Sequence, residues 1–395
     1  MATFRLRRLA VPHTLQALRP THLFQLLSLH QAYFSRRGIP LPANPETDLF
    51  DYDRLAGCFM DPIGDTPQAL IDALYLIDEL ATDGGMDALF EADPGPHDFG
   101  PGEATPADVA LAFWLRSPDL VERVHAERRS TRKRSFEYFQ PDRPNPGGSI
   151  PDPEDVDLVT LAADLGPAFA AHNRGAGCRV TRFHRDGDCH FMIRHGEPFQ
   201  RVEAGDAEPT SVAYRPAGYA AVVFDPITAE LGINAQAEWE RQAYLQGFGR
   251  ALFRDPAAFP NNQKYTLDPL RANGEACLFC ADVPGLEWVR LREAHFSWGG
   301  PHRELEILKA EDLFAARKLR ECGLPTRPRL FRAGFELKFG DGRRPRAVSI
   351  SPPNVAQYVR GSDARLVEDW LAARGFLRGP GRPGEEADDP LVVDP

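Results

Sequence analysis

The hydrophobic period of this chain changes once along its length, and that change limits what it can fold into. Up to residue 140 the apolar side chains recur at helical spacing, and beyond a stretch at 141–155 they alternate. A helix-period pattern does not settle as a strand, so the sequence implies an α+β protein. An all-helical N-terminal domain is expected over 1–140 and an antiparallel-sheet α+β domain over 156–378. The stretch between them holds Pro141, Pro144, Pro146, Gly147, Gly148, Pro151 and Pro153, a composition that propagates neither helix nor sheet and is expected to be a linker. From Gly379 the tail is proline-rich and acidic, and disorder is expected over 379–395.

In the front half, Leu15, Leu18, Leu23, Phe24, Leu26, Leu27, Leu29, Tyr33 and Phe34 follow helical spacing until Gly38. Asp65-Thr66-Pro67 opens a second helix carrying Leu70, Ile71, Leu74, Ile77 and Leu80, with Gly84-Gly85 expected to end it. Thr105-Pro106 opens a third, which Ser117-Pro118 should interrupt. In the back half, 180–184 and 188–193 flank Asp186-Gly187, a two-residue hairpin turn that pairs Arg185 with Asp188, His184 with Cys189 and Phe183 with His190. Further hairpins are expected across Asp225-Pro226 and Gly340-Asp341-Gly342, with an additional strand at Trp288, Val289 and Leu291. Helical patterns at 237–253, 310–322 and 363–376 would cover one face of the resulting sheet.

Charge and composition bound the partners. No run of apolar residues is long enough for a membrane helix, so no membrane partner is expected. The first ten residues lack the apolar core of a signal peptide, and the six cysteines have no framework spacing, which together imply a cytoplasmic protein with reduced thiols. Of 46 cationic residues only Lys133, Lys264, Lys309, Lys318 and Lys338 are lysines, a skew that fits a GC-rich bacterial genome.

Against a net charge of -11, five cations crowd into seven positions: Arg128, Arg129, Arg132, Lys133 and Arg134. Such a run concentrates positive potential and is expected to meet phosphates of a nucleic acid; the alternative is a solvated helix end. Phe136, Tyr138 and Phe139 behind it would either stack on bases or anchor the segment, and Arg5, Arg7 and Arg8 form a smaller basic group.

Histidine with carboxylate is the vocabulary of acid–base catalysis, and His184, Asp186, Asp188, His190, His195 and Glu197 lie close in sequence. The hairpin register sends His184 and His190 to opposite faces, so they would not share a metal. The catalytic candidates are therefore His195 with Glu197 or Asp188, as in a hydrolase or nuclease. Cys277 and Cys280 have the spacing of half a zinc site, but no second pair follows, and buried thiols are expected with no metal. Glu336 and Lys338 share a strand face without the upstream Asp a metal nuclease needs. No phosphate-binding loop, nucleophile elbow or dinucleotide fingerprint occurs, and no cofactor is expected. These features imply a non-catalytic accessory or adaptor subunit of a bacterial multi-component system, anti-phage defence being one such setting. It would bind a partner protein of the same system and nucleic acid. The alternatives are the hydrolase or nuclease at His195 and a purely structural scaffold.

Overall fold

The computed structural model describes residues 6–61, 65–97, 99, 104–131, 133, 135–141, 150–185, 187–203, 211–359 and 364–378. The chain divides into two compact units, Met1–Arg129 and Ser130–Pro395. The division falls inside the basic run and ahead of the Pro/Gly-rich stretch, because the segment after the run belongs to the sheet of the second unit. The tail from Gly379 lies outside the described residues, as do 142–149 of the expected linker. Pro153–Asp155, at the end of that stretch, forms a 3-10 turn, and Arg182 donates to the carbonyls of Pro153 at 2.7 Å and Glu154 at 2.9 Å.

The first unit is built from helices α1 (Pro12–Gln16), α2 (Pro20–Ser28), α3 (Gln31–Arg36), α4 (Tyr52–Met60), α5 (Gln68–Leu80), α6 (Asp83–Ala92), α7 (Pro106–Arg116) and α8 (Pro118–Thr131). Of the apolar residues expected on the first helix, Leu29 is exposed and Phe24 half-buried while the others are buried, and they are spread over three short helices, with Leu18 between the first two. Pro20 removes an N–H and pushes Arg19 into an extended conformation, ψ 126°, which breaks the run. Ser117-Pro118 separates α7 from α8 as expected. Gly84-Gly85 does not terminate a helix. It lies in the first turn of α6, which Thr82 caps, and a Cβ on Gly85 would stand 2.1 Å from the Leu80 carbonyl oxygen.

Two buried carboxylates hold this unit together. Asp78 accepts from the backbone N–H groups of Arg7 at 2.9 Å, Arg8 at 2.7 Å and Leu9 at 2.8 Å, fixing the N-terminal segment to α5. Asp108 accepts from the Arg19 backbone and guanidinium, both at 2.9 Å, and meets His22 Nδ1 at 3.0 Å. Both acids are almost wholly buried.

The second unit centres on a ten-stranded antiparallel sheet in the order β2-β3-β6-β7-β1-β12-β11-β10-β8-β9. In chain order its elements are β1 (Ser135–Phe139), α9 (Leu158–Ala171), β2 (Cys178–Arg185), β3 (Asp188–Gly196), β4 (Gln200–Glu203), β5 (Ser211–Tyr214), β6 (Ala217–Asp225), β7 (Glu230–Asn234), α10 (Glu238–Phe248), α11 (Asp268–Ala272), β8 (Leu286–Gly299), β9 (Glu304–Lys309), α12 (Leu313–Leu319), β10 (Arg329–Phe339), β11 (Arg346–Ser351), β12 (Val355–Gln357) and α13 (Ala364–Ala373). The β2–β3 hairpin has the expected register, Arg185 opposite Asp188 and Phe183 opposite His190, with Gly187 at φ 95°. The β4–β5 pair is a separate two-stranded ribbon inserted between β3 and β6.

Helices do not cover one face only. Along β6, Ala220, Val222 and Phe224 pack with Phe169, Tyr244 and Phe248 in one core, while Ala221 and Val223 pack with Tyr138 and Tyr265 in another. The strand β1 sits in the middle of the sheet, between β7 and β12, and buries Phe136, Tyr138 and Phe139. Those three rings are therefore core anchors and are closed to stacking on bases.

Replacing Asp78 with Ala leaves three backbone N–H groups without their acceptor, and the helical unit should lose at least about 3 kcal/mol of stability, read from its denaturant midpoint. A midpoint within experimental error of the wild type would contradict this role.

Candidate functional site

The end of β3 brings the strongest candidates together. His195 lies opposite Cys178 on β2 and Gly218 on β6, its ring facing the layer made by α9 and α10. The imidazole stacks on Phe169 at 4.6 Å and 15° and is 4% exposed. Its Nδ1 is 2.9 Å from the Gly196 carbonyl oxygen, and its Nε2 is 3.3 Å from Glu240 Oε1. Glu197 Oε1 stands 3.9 Å from Nδ1, too far for a hydrogen bond, and is held by Arg174 at 3.2 Å. Both ring nitrogens thus face oxygens that only accept.

Glu240 was not among the sequence candidates. It lies on α10, 2% exposed, and accepts from Tyr244 Oη at 2.9 Å and the Gln236 backbone N–H at 3.0 Å. Burial by itself would raise its pKa; the hydrogen bonds from His195, Gln236 and Tyr244 outweigh burial and hold it below the ordinary value. Burial, reinforced by Glu240, pushes the Tyr244 phenol well above its usual range, so it stays a donor. Backbone shape completes the fit. A Cβ on Gly218 would lie 2.1 Å from Glu197 Oε1 and 2.5 Å from His195 Cε1, so only glycine lets the ring pass β6.

Above this buried network the strand ends form an open cleft of about 340 Å³, lined by Arg179, Arg194, Arg215, His195, Gly196 and Pro216 among others. Arg179 and Arg194 are cross-strand partners, and Arg194 faces Tyr219 on the other side, so two guanidinium groups and a phenol form one row. Arg215 closes the wall of the cleft by donating to the Asn173 carbonyl and, at 3.0 Å, to that of Glu197.

Asp188 does not join His195. It lies at the opposite end of β3, seven residues away, or about 23 Å along an extended strand. Burial raises its pKa to about 7, the carboxylates of Asp225, Glu368 and Glu230 add to the rise, and Lys264 opposes it. Lys264 is ion-paired with Glu230 and lies 3.7 Å from the Tyr138 ring centre. His184 meets Glu154 at 3.3 Å while His190 is buried against Phe183, on the opposite faces that the register implies.

The remaining candidates are dispersed. Arg128 and Arg129 occupy the last turn of α8, where Arg128 donates to the Gly84 carbonyl; Arg132 and Arg134 lie outside the described residues. Cys277 and Cys280 are buried in the core, Cys277 donates to the Gly274 carbonyl at 3.0 Å, and burial pushes its thiol up to about 12. Glu336 is paired with Arg292 at 3.0 Å and Lys338 donates to the Arg343 carbonyl. Among the described residues no group of three or more His, Cys, Asp or Glu side chains is arranged to hold a metal, and no helix is long and apolar enough to cross a membrane. No known protein-family model matches the sequence, and no curated protein matches it.

The two carboxylates give opposite pH signatures. Because the folded-state pKa of Glu240 is lowered, its contribution is complete above the unfolded value and is lost as pH falls through the folded one. Glu240→Gln should therefore lower stability at neutral pH and narrow its gap from wild type in acid. For Asp188, raised to about 7, the penalty grows from the unfolded value upward and is complete above pH 7. Asp188→Asn should raise the melting temperature more at pH 8 than at pH 5; an equal shift at both would contradict the assignment.

Proposed function

We propose that this chain is a non-catalytic accessory subunit that binds nucleic acid and a partner protein within a multi-component system. The observation that carries the reading is the contrast at the end of β3. There the histidine and its carboxylates are spent on packing beneath the surface, while the cleft above them is lined by Arg179, Arg194 and Arg215. A general base needs a nitrogen that reaches substrate, and both nitrogens of His195 are taken by Gly196 and Glu240. Cationic surface on a chain of net charge -11 favours an anionic polymer as partner.

The run Arg128, Arg129, Arg132, Lys133 and Arg134 supplies further phosphate contacts in this reading. Arg128 donates to the Gly84 carbonyl of its own unit. Replacing Arg129, Arg132, Lys133 and Arg134 with Gln, and keeping Arg128, should weaken binding and flatten its salt dependence by up to about 0.9 in log–log slope per lost duplex contact. Absence of any nucleic-acid binding by the wild type at low salt would remove that half of the proposal. A hydrolytic or nuclease activity abolished by His195→Ala in a folded protein would overturn the non-catalytic half.

A further inference from the structure

We infer that the cleft at the ends of β2, β3 and β6, together with the β4–β5 ribbon, is a binding surface for single-stranded nucleic acid. The inference rests on the nucleic-acid reading above and narrows it to one surface and one ligand class. Three features of the second unit meet there. The row Arg179, Arg194, Tyr219 runs across three adjacent strands, with neighbouring side chains about 5 Å apart at Cβ, and both arginines are exposed. The cleft they line is shallow and open, so a backbone can lie along it without entering a cavity.

The ribbon then adds rings. Phe199 is 66% exposed and Tyr214 is 43% exposed, unusual for aromatic side chains. The Arg215 guanidinium stacks over Phe199 at 4.5 Å, which ties the root of the ribbon to the wall of the cleft. Arg201 is on the same ribbon and exposed. Phe199, Arg201 and Arg215 share one face of the ribbon and Tyr214, opposite Gln200, lies on the other, so along a strand that wraps the ribbon the cations follow the phosphates while the rings take unstacked bases on their faces. A duplex presents its phosphates but hides its base faces, so the rings would add nothing for it.

Glu203 on β4 is set against Arg179, Arg194, Arg201 and Arg215, and Glu197, next to this surface in sequence, is paired elsewhere. Arg174 holds it at 3.2 Å on the side of His195. Gly196 lets Arg174 and Arg215 pack close against β3, since a Cβ there would lie 2.3 Å from the Arg174 carbonyl oxygen and 2.5 Å from Arg215 Cδ. The spacing of the two exposed arginines is set by the β2–β3 register, which makes them cross-strand partners.

The test is fluorescence anisotropy on the full chain with a labelled oligothymidylate of about 15 nucleotides, long enough for one site of this size, and a duplex of the same length. The double variant Arg179→Glu/Arg194→Glu should weaken single-strand binding at least about tenfold and reduce the salt slope by about 1.4, two contacts at about 0.7 each. Arg179→Lys/Arg194→Lys should restore most of the affinity. Phe199→Ala/Tyr214→Ala should weaken the single strand by about tenfold or more and leave the duplex unchanged. Thermal melts matching the wild type keep these outcomes separate from misfolding, and all four positions are at the surface. Cleft and ribbon variants that bind the single strand like the wild type would overturn the inference while the nucleic-acid reading stands. Equal losses for strand and duplex on removing the rings would overturn the single-strand assignment. A wild type that binds neither probe would remove the reading itself.

Discussion

The second unit depends on one strand having no polar face to offer. From Ala220 to Phe224, β6 is apolar on both sides, and each side has its own core, one beneath α9 and α10 and one beneath the 265–283 segment and α13. A strand of that kind is stable only when covered twice, which places it inside the sheet and forces the neighbouring strands to supply the edges. β2 and β9 take the two edges, and the cationic residues of β2 and β3 emerge where cover over β6 ends. The cleft is a by-product of how far the second core reaches along β6.

The same constraint explains why the histidine that looked most reactive is the least available. His195 sits on the α9/α10 side of β3, among Phe169, Tyr244 and Glu240, and a ring in that layer must satisfy both nitrogens internally. Glu240 is ionised there because three donors converge on it, and it would be costly to bury without them. Asp188, at the other end of β3, has the opposite outcome: burial, with neighbouring carboxylates adding to it, raises its pKa, where hydrogen bonds lower that of Glu240. The two ends of β3 therefore meet carboxylates in opposite environments, Asp188 on the strand itself and Glu240 on α10, without bringing them into a shared site.

Legibility in the sequence followed the range of the interactions involved. The β2–β3 register could be read from Asp186-Gly187 because the turn alone determines it, and the α7/α8 break could be read from Ser117-Pro118. The strand β1 was obscured because Ser135–Phe139 follows directly on a cationic helix end, and its burial depends on β7 and β12, about 100 and 220 residues downstream. Gly84-Gly85 resembles a helix stop, yet it opens α6 because the close approach of Leu80 requires glycine. His195 and Glu197 were adjacent in sequence and are adjacent in space. Glu240 could have been suspected as a lone acid one turn from Tyr244 on an apolar helix face, but its partner on β3 is visible only in the fold. The arginines of the cleft come from β2, β3 and the β5–β6 junction, and no local pattern joins them.

The proposed single-strand surface predicts where ligand meets protein. Hydrogen exchange of the full chain with and without a saturating oligothymidylate measures that directly. Exchange should slow at the start of β2, the end of β3, the β4–β5 ribbon and the start of β6, with no change in β8, β9 and β10. Slowing confined to the helical unit, or spread evenly over the sheet, would contradict it.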